Sequence, residues 1–293
     1  MRLRPPTLAD LQEVHAVLEA RDRADFGAPD FTLDDLRDAW QRTETDLTAD
    51  ARLVTDQAGA IVGYGIVEGQ GALGVVHPES EGRGAGSLLL GWLMDRERER
   101  GHTEHRQYVG AANPTAPVLL SPRGFTLTRS NYRMARALDE PGLPPDLPGV
   151  TLRPVRPEDV AEMRRVDNRA FAEDPGYVPE SLTAFREEHL EAHGAAPDLG
   201  RVALIDGEVA GFLIARRWEM ESVGYVDVLA VDPGHQGRGI GRALLLEAFS
   251  AFRAAGLHQA QLGVSSVNPR ALNLYRSAGM TVRFQGDIYE RPI

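Results

Sequence analysis

A mixed α/β fold (α+β mixed), built twice along the chain, is the fold class that the sequence predicts, and length, an internal repeat and the order of periodic segments predict it. At 293 residues the chain exceeds one domain of roughly 100–200 residues, so two modest cores are expected. The stretch HPESEGRGAGSLLL, His77 to Leu90, returns as DPGHQGRGIGRALL, Asp232 to Leu245, with Val76 aligned to Val231, 155 residues on. The same offset pairs Gly82, Gly84 and Gly86 with Gly237, Gly239 and Gly241, Asn113 with Asn268, and Gly124 with Gly279. Near the two starts, RLRPPTLADL and TLRPVRPEDV match at an offset of 149, which places a six-residue insertion in between. A period this long marks whole domains and not a solenoid of short repeats.

The second copy justifies the elements in order. VTLRPV reads as a strand, and RPEDVAEMRRVDNRAF as a helix with Val160, Met163, Val166 and Phe171 near one face. A second helix is expected over PESLTAFREEHLEA. Three strand-like runs follow, RVALID, EVAGFLIARRW and VGYVDVLAV, the first two joined at Asp206-Gly207. After the glycine loop, Ile240, Leu244, Ala248, Phe252 and Ala255 recur at helical spacing until Gly256. QAQLGV is a strand. NPRALNLYRSAG is a short helix with Asn268 as N-cap and Pro269 in its first turn, and MTVRFQGDIYERP supplies the last strand or pair. This order indicates a mixed sheet covered by helices on both faces. Between the copies, LDEPGLPPDLPG carries four prolines that block regular structure. The expected division is therefore 1–137, a Pro-rich linker 138–149, and 150–293.

Composition excludes several classes. With no cysteine, disulfides, thiolate metal sites and cysteine nucleophiles are absent. All 32 basic residues are Arg, so Schiff-base chemistry and a P-loop lysine are excluded too. A formal net charge of -11 argues against a nucleic-acid partner, which needs a positive surface. The opening MRLRPP lacks the apolar core of a signal peptide, and no run approaches the roughly 18 apolar residues of a membrane span. A cytoplasmic protein with no membrane partner is expected. His189 and His193 lie four apart on EEHLEAH, but no third ligand is evident and no metal is expected.

The loop fails the dinucleotide pattern Gly-x-Gly-x-x-Gly in both copies, because Arg242 and Leu244 stand where the last glycine is required. What remains is a strand, a turn of consecutive backbone N–H groups and a helix N-terminus, which together favour an anion. Arg238 and Arg242 add cationic reach towards a diphosphate. The run LAVDPGHQGRGIGRALL, followed by Asn268, Tyr275 and Gly279, resembles the GNAT superfamily of acyl-CoA-dependent N-acetyltransferases, whose Gln/Arg-x-x-Gly-x-Gly/Ala signature is met by Gln236-x-x-Gly239-x-Gly241. The resemblance covers residues 150 to 290 and, more weakly, 2 to 135. Two such domains in one chain are similar in arrangement to mycothiol synthases.

The resemblance implies two GNAT-like domains, each a mixed, mostly antiparallel sheet flanked by helices. It implies acetyl-CoA as co-substrate, its pyrophosphate on Gln236, Gly237, Arg238, Gly239, Ile240, Gly241 and Arg242. The pantetheine arm lies along Leu229, Ala230 and Val231 as a pseudo-strand, with Asn268 in added contact. In the family that strand splays from the next to open a cleft. An unpaired N–H near Leu229 is placed to stabilise the thioester oxyanion. Tyr275 occupies the position of the general acid that protonates the leaving thiolate. Read without the resemblance, Tyr275 is a helical core residue beside Leu272.

Asp227 lies on YVDVLAV, and strict alternation gives it a face in common with Tyr225 and Leu229. It resembles the acidic position through which family members deprotonate the amine. It reads as base or substrate anchor, or as the partner of a neighbouring Arg. Glu219 and Glu221 are less favoured carboxylates, and Glu173, Asp174, Tyr177 and Glu180 fall where the family lines its acceptor cleft.

At the 155 offset, Tyr275 corresponds to Leu120, Asp227 to Ala72 and Gln236 to Glu81. Glu81 brings a negative charge towards any incoming diphosphate. The expectation is N-acetylation of a small-molecule amine by the C-terminal copy. The N-terminal copy is expected to be catalytically degenerate and to pack against its neighbour. A non-catalytic acyl-CoA sensor is the alternative, and acetylation of a cysteinyl amine is the narrower enzymatic one.

Overall fold

The structure is a computed structural model that describes the chain except residues 30, 31, 43, 44, 70, 141, 174–176, 193 and 219–221. His193, Asp174, Glu219 and Glu221 therefore lie outside the described residues. Two compact units divide it, Met1–Asn131 with Phe284–Ile293, and Tyr132–Arg283.

The first unit opens with β1 (Arg2–Arg4), α1 (Leu11–Phe26), α2 (Leu33–Gln41), α3 (Leu47–Asp50), β2 (Ala51–Thr55), β3 (Ile61–Glu68) and β4 (Gly71–Val76). It continues with α4 (Ala85–Glu99), β5 (Glu104–Gly110), α5 (Ala116–Leu120) and the first half of β6 (Thr126–Ala137). The strands β1 to β4 pair antiparallel in sequence order, and β4 meets β5 in parallel at a single pair, Ala72 with Gln107. Leu53, Tyr64 and Ile66 pack under α1 and α2 on one face, while Val54, Val62 and Val67 meet Leu89 and Leu93 of α4 on the other.

The second unit holds β7 (Thr151–Pro154), α6 (Val160–Ala170), α7 (Leu182–Arg186), β8 (Arg201–Ile205), β9 (Glu208–Trp218), β10 (Val223–Val231), α8 (Ile240–Ala254), β11 (Gln259–Ser265) and α9 (Pro269–Ser277). The order follows the sequence expectation. α7 is shorter than its predicted helix, because the chain runs on as a π-helical turn, Glu187–Glu191. One core joins α8 to Val226, Leu262 and Leu272, and a second joins α6 and Phe185 to Phe212 and Ile214. The proline-rich segment is anchored in this unit: Leu138 is 2% exposed in the α8 core, and Leu147 packs against it.

The compact units differ from the expected division at both ends. The last strand, β12 (Thr281–Pro292), pairs its Gly286–Pro292 antiparallel with Gly110–Glu104 of β5, so the C-terminal segment completes the first unit's sheet. Residues 132–137 of β6 lie in the second unit, beside β11. β6 and β12 occupy the same place in the repeat, after Gly124 and Gly279, and each serves the sheet of the other copy. Their own hydrophobic patterns suit either partner, and a single sequence carries no signal for that choice.

Candidate active site

The second unit's glycine loop leaves β10 through a 3₁₀ turn, Pro233–His235, whose N-cap Asp232 accepts a hydrogen bond from Gly234 N at 3.0 Å. Gly237 and Gly239 have φ of +78° and +85°, a left-handed backbone that favours glycine. Nothing lies within 4 Å of a Cβ built at Gly237. Gly239 is the N-cap of α8, and its carbonyl accepts from Ala243 N at 3.0 Å. The N–H groups of the first turn of α8 have no acceptor within the helix and are suited to an anion. Arg238 and Arg242 flank it; Arg242 donates weakly to the Ser277 carbonyl at 3.5 Å. Gln236 is a brace: its Nε2 donates to the Val231 carbonyl at 3.0 Å, while Arg270 donates to its Oε1.

β10 supplies the cleft. It pairs in parallel with β11 from Val223 to Val226 and no further, while its antiparallel pairing with β9 continues to Val231. Beyond Val226 the side of β10 facing β11 is therefore open along Leu229, Ala230 and Val231, which is the splay that the resemblance implies. A register shift between Val226 and Val228 makes Asp227 a bulge residue. The bulge corrects the expected alternation. Val228 and Ala230 pack with the α6 core, whereas Leu229 and Val231 pack with the α8 core. Asp227 reaches His189 and Arg216, so Leu229 does not share its face.

Asp227 is embedded in charge. Arg216 donates to its two oxygens at 2.9 and 3.2 Å, and His189 Nδ1 lies 2.9 Å from Oδ2. Burial raises its pKa, but the bonds to His189 and Arg216 outweigh burial and hold the carboxyl below the usual range. Its carboxylate is accordingly a weak proton acceptor. Burial lowers the His189 pKa, and the bond to Asp227 with the nearby charges of Asp227, Glu180 and Glu188 more than reverses this. Asp167 and Tyr177 adjoin: the Tyr177 hydroxyl donates to Asp167 Oδ2 at 2.7 Å, and burial raises the Asp167 carboxyl. The neighbouring Arg that sequence reasoning offered as a partner for Asp227 is Arg216, which it did not name, and it considered His189 only as a metal ligand. The bulge that aims Asp227 at both leaves no mark in hydrophobic periodicity.

Tyr275 sits on α9, 8% exposed, between Leu272 and Ala278 in the α8 core. Burial, with a smaller contribution from nearby Tyr225, pushes its phenol up to about 12. It is thus fully protonated at neutral pH and able to donate. Asn268 caps α9, its Oδ1 accepting from Ala271 N at 3.0 Å.

The first unit keeps the shape with other contents. A cavity of about 730 Å³ opens between β4, the loop, β5 and α5. Gly82 and Gly84 have φ of +71° and +91°, and Asn113 Oδ1 accepts from Thr115 N and Ala116 N where the chain enters α5. Leu120, 2% exposed, stands in place of the tyrosine. Glu81, the negative charge expected beside the loop, is paired: Arg21 donates to it at 2.5 Å and the Thr115 hydroxyl at 2.8 Å.

A strand whose parallel pairing ends early, a glycine turn at a helix N-terminus and a buried phenol on α9 fit the class of acyl-CoA-dependent N-acyltransferases. The chain belongs to the GNAT acetyltransferase family, whose model, "Acetyltransferase (GNAT) family", matches residues 160–280. It is an N-acetyltransferase, and members of this family use acetyl-CoA as co-substrate. Within the family it is similar to the mycothiol acetyltransferase of Thermomonospora curvata, 34% identical over 96% of this chain and 94% of the relative. The same enzyme of Thermobispora bispora is 34% identical over 74% of each chain. Among solved structures, a GCN5-related N-acetyltransferase from Sphaerobacter thermophilus superposes with a TM-score of 0.85 at 24% identity, covering 99% of this chain and 95% of that one. A tandem GNAT protein from the clavulanic acid biosynthesis pathway does so with a TM-score of 0.77 at 18% identity, covering 99% and 98%.

Proposed function

We propose that the second unit performs the acetyl transfer, from acetyl-CoA to a primary amine of a small molecule, and that the first unit is catalytically silent. The observation that carries this reading is the buried phenol of Tyr275 on α9 where the first unit has Leu120; the end of β10–β11 pairing at Val226 leaves the side of β10 along Leu229, Ala230 and Val231 for the pantetheine arm. The loop from Gln236 to Arg242 cradles the diphosphate, with Gln236 acting through its brace to Val231. Asn268 holds the helix that carries Tyr275. The amine attacks the thioester carbonyl directly, an open N–H of the splayed strand stabilises the oxyanion, and Tyr275 protonates the departing thiolate. Asp227 acts through the side chains that it holds. Full-length similarity to mycothiol acetyltransferases favours a cysteinyl amine as the acceptor.

Steady-state kinetics of Tyr275→Phe test the assignment. The expected result is a fall in kcat of roughly 10²-fold or more with acetyl-CoA affinity nearly intact. Unchanged turnover removes Tyr275 as the acid. Comparing a cysteinyl amine with simple primary amines by thiol release tests the acceptor, and equal kcat/KM across the panel rejects the cysteinyl reading.

A further inference from the structure

An acceptor amine arrives at neutral pH as an ammonium ion, and it must lose a proton before it can attack. Asp227 directly follows the last residue of β10 that pairs with β11, but two side chains already hold both of its oxygens. The side chain that it holds is better suited. His189 stands on the π-helical turn Glu187–Glu191, a rare backbone form that recurs at functional sites. Its Nδ1 is 2.9 Å from Asp227 Oδ2, and a carboxylate there places the ring proton on Nδ1 and the lone pair on Nε2. Nε2 faces Glu180 Oε2 at 3.6 Å, too far for a direct hydrogen bond. That oxygen is buried and has no hydrogen-bond partner among the described residues. A lone pair and an unsatisfied carboxylate oxygen thus face each other beside Asp227, the residue after the last β10–β11 pair.

We propose that His189 is the general base of the transfer: Nε2 takes a proton from the acceptor's ammonium group, Glu180 Oε2 anchors that group, and Asp227 fixes the imidazole's tautomer. The inference rests on the second unit being the active one. In the step, one N–H bond of the ammonium breaks as the proton bonds to Nε2. The freed nitrogen pair bonds to the thioester carbonyl carbon. The C–S pair then leaves with sulfur, which takes the Tyr275 proton, and the surplus proton on the new amide nitrogen restores the phenol. His189 releases its proton to solvent, so each turnover yields amide, thiol and one proton.

The charged groups facing His189 are Asp227 from β10, Arg216 from β9, Glu180 from the segment before α7, Asp167 from α6 and Glu188 from its own turn. The carboxylates favour the charged imidazolium and Arg216 opposes it; the balance lies above the ordinary histidine value. Base catalysis needs the neutral ring, so kcat/KM should fall as pH drops through that raised pKa.

The decisive experiment is the pH profile of kcat/KM for wild type, His189→Gln, Asp227→Asn and Tyr275→Phe. Expected for His189→Gln is a kcat loss of about 10²-fold, an acetyl-CoA KM within about twofold, and disappearance of the acid limb. For Asp227→Asn the limb shifts to lower pH, because the carboxylate that raises the histidine pKa is gone and Arg216 remains. Added imidazole should restore part of the activity of His189→Ala. Wild-type kcat in His189→Gln, or lost kcat with the acid limb intact, overturns the inference. Should His189→Gln fail to fold, an acid limb unmoved by Asp227→Asn overturns it equally. Where Tyr275→Phe is slow and His189→Gln is not, only the base assignment fails. Where Tyr275→Phe keeps full turnover, the active-unit reading fails with it.

Discussion

In the first unit, β3 and β4 pair from Gly63 with Val76 to Glu68 with Gly71 without a register shift; in the second, the equivalent pair β9 and β10 shifts register at Asp227. The loop that follows has left-handed glycines in both, and the parallel pairing beyond it is short in both, one pair in the first unit and four in the second. The first unit adds a cavity of about 730 Å³. The second has the bulged acid, the histidine and arginine that it binds, and the buried phenol. The glycine loop is therefore common to the two copies, whereas the bulged acid with its histidine and arginine, and the buried phenol, belong to the second alone.

The exchanged strands offer the strongest way to break this comparison. Removing residues 284–293 strips β5 of its partner and takes Tyr289 out of the core around Leu90 and Phe125. An unpaired edge strand over an incomplete core aggregates. The expected outcome is insoluble protein or loss of a cooperative thermal transition, seen by differential scanning calorimetry. A soluble truncation with an unchanged melting profile contradicts the exchange. The same pairing means that residues 1–137 are not a folding unit, so activity in the first unit is better probed by point changes in the whole chain.

The fold was largely legible because its signals are local. Glycine stops, the Asn268-Pro269 cap and apolar periodicity each act within a few residues, and the repeat doubled every observation. The glycine turn between β10 and α8 and the short helix of Tyr275 were legible as elements because their signals lie within a few residues. Three features were not: the strand exchange, the bulge and the His189–Asp227–Arg216 cluster. Each depends on contacts distant in sequence, since 38 residues separate His189 from Asp227. The bulge also inverts the face of every later residue on β10, which is why Leu229 was placed beside Asp227 by alternation.

Paired glycine variants compare the loops directly. At Gly239, φ is +85° and Leu147 lies 3.5 Å from a built Cβ, so Gly239→Val strains the backbone at the diphosphate cradle. Gly84, at φ +91°, is its twin and is equally strained on substitution. If only the second unit turns over, Gly239→Val abolishes measurable acetyl transfer and calorimetric acetyl-CoA binding there, while Gly84→Val lowers stability by about 1–2 kcal/mol and leaves kcat within about twofold. Equal losses of kcat in the two variants sink the one-site reading.

The smallest expected effect is the most instructive. Ala72→Asp, Glu81→Gln and Leu120→Tyr together give the first unit the three residues that the aligned sequences say it lacks. Introduced into the Tyr275→Phe chain, they should leave turnover at the level of Tyr275→Phe alone. The β3–β4 pairing has no bulge to turn the new carboxylate outward, and Glu68 stands where Arg216 pairs with Asp227. The 149-residue offset that aligns Thr32 with Ser181, the N-caps of α2 and α7, aligns Trp40 with His189. Trp40 is 4% exposed and donates its indole N–H to the Tyr64 hydroxyl at 2.8 Å, a packed pair in place of a proton acceptor. The introduced acid would thus lack both a cationic partner and a base to orient, and its pKa would rise. A kcat recovering towards wild type would show that three matched residues suffice and that the bulge and His189 are dispensable.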